Sequence, residues 1–177
     1  MKSPSPFPSL LEVKPTDKPA IGEREFRDLM ASLASSVSVV TAAHEGEALG
    51  RTVTSLFSLG ITPPTILVSI DLMSRLADLI TKSGRFSVAI LAQDQQIIAD
   101  AFAGKLGEID RFAFGIWGQW PSGNPQLYGA ATLIDCELVG SIETAGHMLF
   151  AGSPIETEIT DKAPLIWHKR GYRGLKA

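Results

Sequence analysis

The stretch LGRTVTSLFSLGITPPTILVSI, residues 49–70, decides how this chain is read. Apolar residues alternate there with small hydroxyl residues, and Pro63-Pro64 then hands over to an apolar run. Alternation of this kind marks a half-buried β-strand. An ordinary buried strand has no use for Thr52, Thr54, Ser55, Ser58, Thr62 and Ser69 together. The pattern raises the question of what polar group lies against it.

The flanking segments predict the surroundings of that stretch. SSVSVVTAA (35–43) alternates with β-branched residues and reads as a strand; HEGE (44–47) is a turn, and ALGRTVTS returns as its partner. TILVSI (65–70) is short and apolar, as a strand buried on both faces should be. SRLADLITKSG then predicts a helix with Ser74 as N-cap, Leu76, Leu79 and Ile80 inward, and Gly84 as its stop. Upstream, Phe26, Leu29, Met30 and Leu33 recur at helical spacing and make one apolar face. Downstream, RFSVAILA (85–92) is a strand, and QDQQIIADAFA (93–103) is a helix with Ile97, Ile98, Ala101 and Phe102 inward. GIWGQWPSGNPQL (115–127) is too irregular for either period and reads as a loop. Three further strands fall at 131–143, 147–159 and 164–170. Strands outnumber helices and hairpins dominate, which predicts a closed or nearly closed antiparallel barrel with a few covering helices.

Composition narrows the function classes. The 177 residues suit one domain, and 45% apolar with 20% charged residues is ordinary for a globular protein. A net charge of -3 leaves no electrostatic footprint for nucleic acid. Cys136 is the only cysteine, which excludes an internal disulfide and a cysteine-rich zinc site. No apolar run approaches the roughly 20 residues of a membrane helix. The first residues lack the apolar core of a secretory signal, so a cytoplasmic location is expected. Five of the eleven prolines fall in residues 1–20, which read as an extended arm before a domain at 21–177. The arm is either a disordered tail or a segment that packs on a neighbouring subunit.

Several chemistries have no footing here. There is no G-x-x-x-x-G-K-[ST] loop and no G-x-G-x-x-G opening a helix. LFSLG lacks the first glycine of a nucleophile elbow, so Ser58 is a poor nucleophile candidate. His44, His147 and His168 show no ligand-like spacing, and no metal is expected. What remains is polar and local. Ser74 with Arg75 at a helix start offers N–H groups, a hydroxyl and a cation to an anion. Taken alone, Ser74 is an ordinary cap, and each Thr or Ser of GRTVTS is an ordinary strand or turn residue. A strand carrying Thr52, Thr54 and Ser55 can nevertheless present hydroxyls and backbone groups to a flat heteroaromatic edge. In ETAGHMLFAG, Gly146 permits positive φ, and His147 opens a strand directly after it. A lone histidine at a strand edge is usually a surface residue; the flanking glycines favour a positioned one.

These features, in this order, resemble the flavin reductase-like family, whose fold is the FMN-binding split barrel. The resemblance spans residues 26–175. It is carried by FRDLMASLASSVSVVTA, GRTVTSLFSLGITPPTILVSID with Ser74 following, SGRFSVAILAQDQQIIADAFA, DRF, GNPQL, CEL, GH and PLIWHKRGYRGL. It implies a mainly β, Greek-key antiparallel split barrel with a few covering α-helices. It also implies a homodimer that uses NADH or NADPH to reduce FMN or FAD, with a separate monooxygenase as a frequent recipient. By this resemblance Arg51, Thr52, Val53, Thr54 and Ser55 run along the isoalloxazine edge. Ser69, Ile70, Asp71, Ser74 and Arg75 reach the ribityl chain and phosphate. Ala89 and Ile90 border the same groove, and Phe102 with Ala103 the far side of the flavin. His147 and Tyr172 fall near the nicotinamide, with His147 orienting it. Two positions depart from the family pattern: Gly-Asp-His is here Ala145-Gly146-His147, and the usual Asn is Ala89. Two other readings share the fold. One is a barrel that holds its flavin tightly and reduces ferric iron or a corrinoid. The other is a flavin-binding barrel without catalysis. The aromatic-rich FAFGIWGQWP (112–121) is expected at a subunit interface.

Overall fold

The computed structural model describes residues 9–14, 16–144 and 146–175. Residues 1–8 and 15 of the proposed arm, and Ala145 of the departed motif, lie outside the described residues. The elements, in chain order, begin with β1 (Ser9–Leu10), α1 (Glu23–Ala31), β2 (Ser35–Ser36), β3 (Ser38–His44) and β4 (Glu47–Val53). Next come β5 (Leu56–Ile61), β6 (Pro64–Asp71), α2 (Arg75–Ser83), β7 (Arg85–Ile90) and α3 (Gln96–Phe102). A 3-10 turn (Arg111–Ala113) leads to β8 (Trp117–Gln119) and β9 (Pro125–Leu127). The long strands β10 (Thr132–Glu143) and β11 (His147–Ile159) follow, and β12 (Ile166–His168) and β13 (Gly171–Arg173) close the chain.

The main sheet runs β4-β3-β7-β10-β11-β6-β5, with β1 pairing alongside β10. All of these neighbours except β1 are antiparallel. The sheet curls as a barrel whose recorded pairings run from β4 to β5 without joining them, so the architecture is mainly β and split. Alternation along β3 and β7 divides the core. Val39, Ala89, Leu91 and Leu133 face α3, whereas Val40, Val88, Phe86 and Cys136 face α2. Both faces of the central strands are therefore buried.

Local chemistry explains the elements nearest the site. Glu45 and Gly46 take positive φ between His44 and Glu47, the geometry a two-residue hairpin requires. Ser74 caps α2, its Oγ accepting from Leu76 N at 3.3 Å, and Gly84 ends the helix in the left-handed conformation. At Gly50 an added Cβ would sit 2.6 Å from Phe102 Cε1, so only glycine lets α3 come this close to β4.

Several expectations need correction. The 115–127 segment is not wholly a loop: β8 and β9 form a small hairpin. Part of its aromatic surface is taken up within the chain. Phe112 and Trp117 stack with Phe102 at 5.1 and 5.4 Å, and Trp120 is buried. On α3 the inward set is Ile98, Ala99, Ala101 and Phe102, and Ile97 is exposed, because the helix starts at Gln96 and turns that position outward. α1 forms as expected, but it buries none of its residues and leaves Phe26, Leu29 and Met30 exposed. In β6 only Leu67, Val68 and Ile70 are buried, because β5 covers part of one face.

A buried polar network pins the β8–β9 hairpin to the sheet. Asn124 donates from Nδ2 to Asp135 Oδ1 at 2.8 Å and accepts from Ala43 N at 3.3 Å, with both side chains fully buried. Ser87 donates to Pro125 O at 2.6 Å and contacts Thr41 Oγ1 at 2.8 Å. Asn124→Ala strips Asp135 of that donor and is expected to cost about 3 kcal/mol of stability. Urea unfolding of the variant beside the parent checks this.

Candidate active site

β4 is an edge strand that pairs only with β3. Three clefts lie end to end along residues 48–55, which pass from this strand into the bend after it. The first, about 440 Å³, is lined by Arg51, Ser74, Arg75, Arg111 and Phe112 among others. The second, about 180 Å³, lies between Thr52, Val53 and Thr54 on one side and Ala103, Lys105 and Tyr172 on another. The third, about 450 Å³, shares Thr54 and Trp167 with the second and continues along Ser55 to Phe26 and Met30.

The first cleft is cationic. Arg111 reaches Gly50 O and Phe102 O at 3.4 and 3.5 Å, which fixes its guanidinium between β4 and the end of α3. Arg75 pairs with Glu47 and stays largely exposed. The start of α2 adds its N–H groups to this charge. Three arginines at a helix start form a donor set for a phosphate.

The second cleft is aromatic and tightly braced. Trp167 and Tyr172 meet edge to face at 5.0 Å. The Tyr172 hydroxyl donates to Asp100 Oδ1 at 2.6 Å, and Lys105 Nζ donates to the same oxygen at 2.7 Å. Lys105 Nζ also lies 5.1 Å from the Trp167 ring centre and 4.9 Å from that of Tyr172. Burial works to raise the Asp100 carboxyl, but hydrogen bonds from Lys105 and Tyr172 outweigh it and hold it below its ordinary value. Its hydrogen bond to Asp100 pushes the Lys105 ammonium up. Burial, reinforced by the bond to Asp100, raises the Tyr172 phenol. Near neutral pH all three groups keep the states this arrangement needs.

The hydroxyls of the opening stretch divide between structure and site. Thr52 Oγ1 donates to Ala99 O at 2.7 Å and so fastens α3 to β4. Ser55 Oγ donates to Ser69 O at 3.1 Å, and Ser69 N donates to Ser55 O at 3.3 Å. The Thr54 hydroxyl has no protein partner among the described residues and lines two of the clefts.

The structure brings together Arg51 to Ser55 (numbers 51–55), Ser74, Arg75, Ala103 and Tyr172 along one groove. It does not bring the others there. Ile70 and Phe102 are 1% exposed and Ala89 is 6% exposed, their side chains held in the core. Ala89 and Ile90 sit in β7, enclosed between β3 and β10. Phe102 acts from beneath, as the ring on which Gly50 rests. Asp71 is exposed and accepts from Met73 N at 2.8 Å, shaping the approach to α2. His147 is exposed, opens β11 opposite Asp71, and lines none of the three clefts. Ser69 is half-buried next to Ser55. Sequence reasoning missed Asp100, Lys105, Arg111 and Trp167; the DRF and PLIWHKR runs carried two of them, but without a signal of role.

Residues 30–176 match the family described as flavin reductase like domain. The chain belongs to that family. An NADH:riboflavin 5'-phosphate oxidoreductase of Streptomyces pristinaespiralis is 35% identical over 88% of this chain and 89% of its own length. Among solved structures, BorF, the flavin reductase component of a bacterial two-component tryptophan halogenase, superposes with a TM-score of 0.81. It is 28% identical, over 88% of this chain and 99% of its own. The styrene monooxygenase flavin reductase of Pseudomonas putida S12 gives a TM-score of 0.77 at 28% identity, over 86% of this chain and 98% of its own. The groove along β4 offers two kinds of surface. The arginine-lined cleft suits a phosphate tail, and the narrow aromatic cleft suits a flat ring.

Proposed function

We propose that the protein is an NADH:flavin oxidoreductase that reduces FMN or FAD and passes the reduced flavin to a partner monooxygenase or related oxygenase. The observation that carries this reading is the groove, cationic at one end and aromatic in the middle, in a chain of this family. The names of its relatives support NADH as the donor. The NADH requirement favours a cytoplasmic setting.

When bound, the flavin supplies a hydride acceptor and the nicotinamide supplies the hydride. The protein contributes binding, orientation and exclusion of water. Arg51, Arg75 and Arg111, with the N-terminus of α2, hold the phosphate end; Arg75 exchanges Glu47 for the ligand. The backbone of residues 51–55 and the free Thr54 hydroxyl face the ring edge. Tyr172 and Trp167 wall the slot. No nucleophile or general base is required. Cys136 contributes nothing, since burial, with the Asp135 charge adding, pushes its thiol up to about 12.

A homodimer completes the reading. α1 buries none of its residues, and Phe57 and Ile61 of β5 are 50% and 84% exposed. An apolar surface of this extent beside the third cleft calls for a protein cover. His147, outside the clefts of its own chain, then orients nicotinamide at a site two copies build together. Residues 1–20 are read as an arm before the domain at 21–177, with Ser9 and Leu10 of that arm pairing with β10.

Nicotinamide absorbance, followed with FMN and with FAD, is expected to fall only when flavin is present. Folded protein that turns over neither flavin would end the enzymatic reading. Light scattering at micromolar concentration is expected to give a dimer mass. His147→Ala is expected to leave flavin affinity nearly unchanged and to slow single-turnover reduction about tenfold, equivalent to about 1.4 kcal/mol. Weaker flavin binding at an unchanged rate would reassign His147 to the flavin.

A further inference from the structure

Trp167 and Tyr172 belong to the last hairpin of the chain, and their inner edges pack against the core. Lys169 N and Arg170 tie the hairpin turn to Ala31 O and Asp28 of α1, but neither tie reaches the rings where they face the groove. β12 and β13 are three residues each and pair only with one another and with the two-residue β2. Elements this short do not hold aromatic rings rigidly by backbone pairing alone. The ties that reach the rings come from the other wall. Asp100 lies in α3, which Thr52 and the Gly50 contact lock onto β4. Its Oδ1 accepts from both the Tyr172 hydroxyl and Lys105 Nζ, at 2.6 and 2.7 Å. Lys105 Nζ stands over both ring faces at about equal distance. One ammonium and one carboxylate thus join the hairpin wall of the slot to its α3 wall.

We propose that Asp100 and Lys105 are positioning residues that hold Tyr172 and Trp167 as a preformed wall of the ring-binding cleft. The proposal rests on reading that cleft as the flavin and nicotinamide site. Lys105 acts through charge: it is attracted to two ring faces and to the carboxylate that anchors the phenol. A preformed wall lets a ring bind without ordering the hairpin first, which improves affinity and geometry together. Arginine keeps the charge and stacks on aromatic faces, so it replaces lysine here; methionine keeps the length and loses the charge.

The test uses full-length protein labelled with 5-fluorotryptophan, whose three tryptophans give three fluorine resonances. Trp167→Phe assigns the one that matters, and Trp117 and Trp120, packed on the core, report that each variant is folded. In Lys105→Met the Trp167 resonance is expected to move and broaden while the other two stay. FMN affinity, by fluorescence quenching, is expected to weaken about fivefold. Lys105→Arg is expected to restore both. Tyr172→Phe, which removes only the hydroxyl anchor, is expected to move the same resonance. An unmoved Trp167 resonance in folded Lys105→Met, a moved resonance at parental affinity, or equal losses in Met and Arg would each overturn the proposal. Parent protein that binds neither FMN nor FAD would bring down the proposed function instead, and the resonances of the flavin-free protein separate the two failures.

Discussion

The contact of α3 with β4 at Gly50 and Thr52 governs the rest of the molecule. An edge strand is a hazard, because its free N–H and C=O groups invite pairing with another chain. Here α3 packs on one face of β4, and it can do so only because residue 50 lacks a Cβ, with Thr52 donating to Ala99 O. The same placement carries Ala103, Asp100 and Lys105 to the second cleft. It also puts Phe102 and its carbonyl where Arg111 reaches both Phe102 O and Gly50 O. Two of the three clefts therefore owe their walls to one close approach. A bulkier residue at 50 would force Phe102 aside and disturb its stack with Phe112 and Trp117.

This dependence explains which features the sequence made legible. Features built from neighbours in sequence were readable. The Ser74 cap, the Gly84 stop and the Glu45-Gly46 hairpin each follow from a few adjacent residues. The strand order was partly readable, because hairpins join half of the neighbours in the main sheet and the central strands are apolar on both faces. The partners of the hydroxyls were not, since Thr52 bonds a carbonyl 47 residues away and Tyr172 a carboxylate 72 residues away. No local pattern signals such pairs. The aromatic loop misled for a related reason. Its rings look exposed in a Gly- and Pro-rich segment, but Phe102 and Phe112, ten positions apart along the chain, give them a core to join. Family resemblance named Phe102, Ala89 and Ile70 as flavin neighbours. Their side chains are packed in the core, so a flavin there would meet backbone, not side chain, at these positions.

The charges are distributed as hydride transfer requires. The chain carries a net charge of -3, yet the first cleft gathers three arginines against Glu47 and Asp110. Asp110 is occupied in capping the 3-10 turn, its Oδ1 accepting from Phe112 N at 3.0 Å. Glu47 holds Arg75, so the cleft without ligand keeps one cation neutralised, which limits repulsion among three like charges. A phosphate then competes for Arg75 against a carboxylate that is partly exposed and screened by solvent. Phosphate binding of this kind anchors a ligand without fixing its ring. Ring placement falls to the second cleft, where the groups are braced and partly buried. Anchoring and orientation are thus separated along one strand, with charge at one end and aromatic geometry in the middle.

That separation bears on release, which a reductase feeding another enzyme must permit. The groove proposed for the flavin is lined by cationic, hydroxyl and aromatic groups. The exposed face of α1 borders the same groove through the third cleft. A cover formed there by a second copy would complete one wall without sealing the arginine-lined end. The flavin could then exchange from its phosphate end while the nicotinamide meets the ring beneath the cover. On the proposed reading, the rigid contacts serve the transfer step and the solvent-exposed charges serve capture and release.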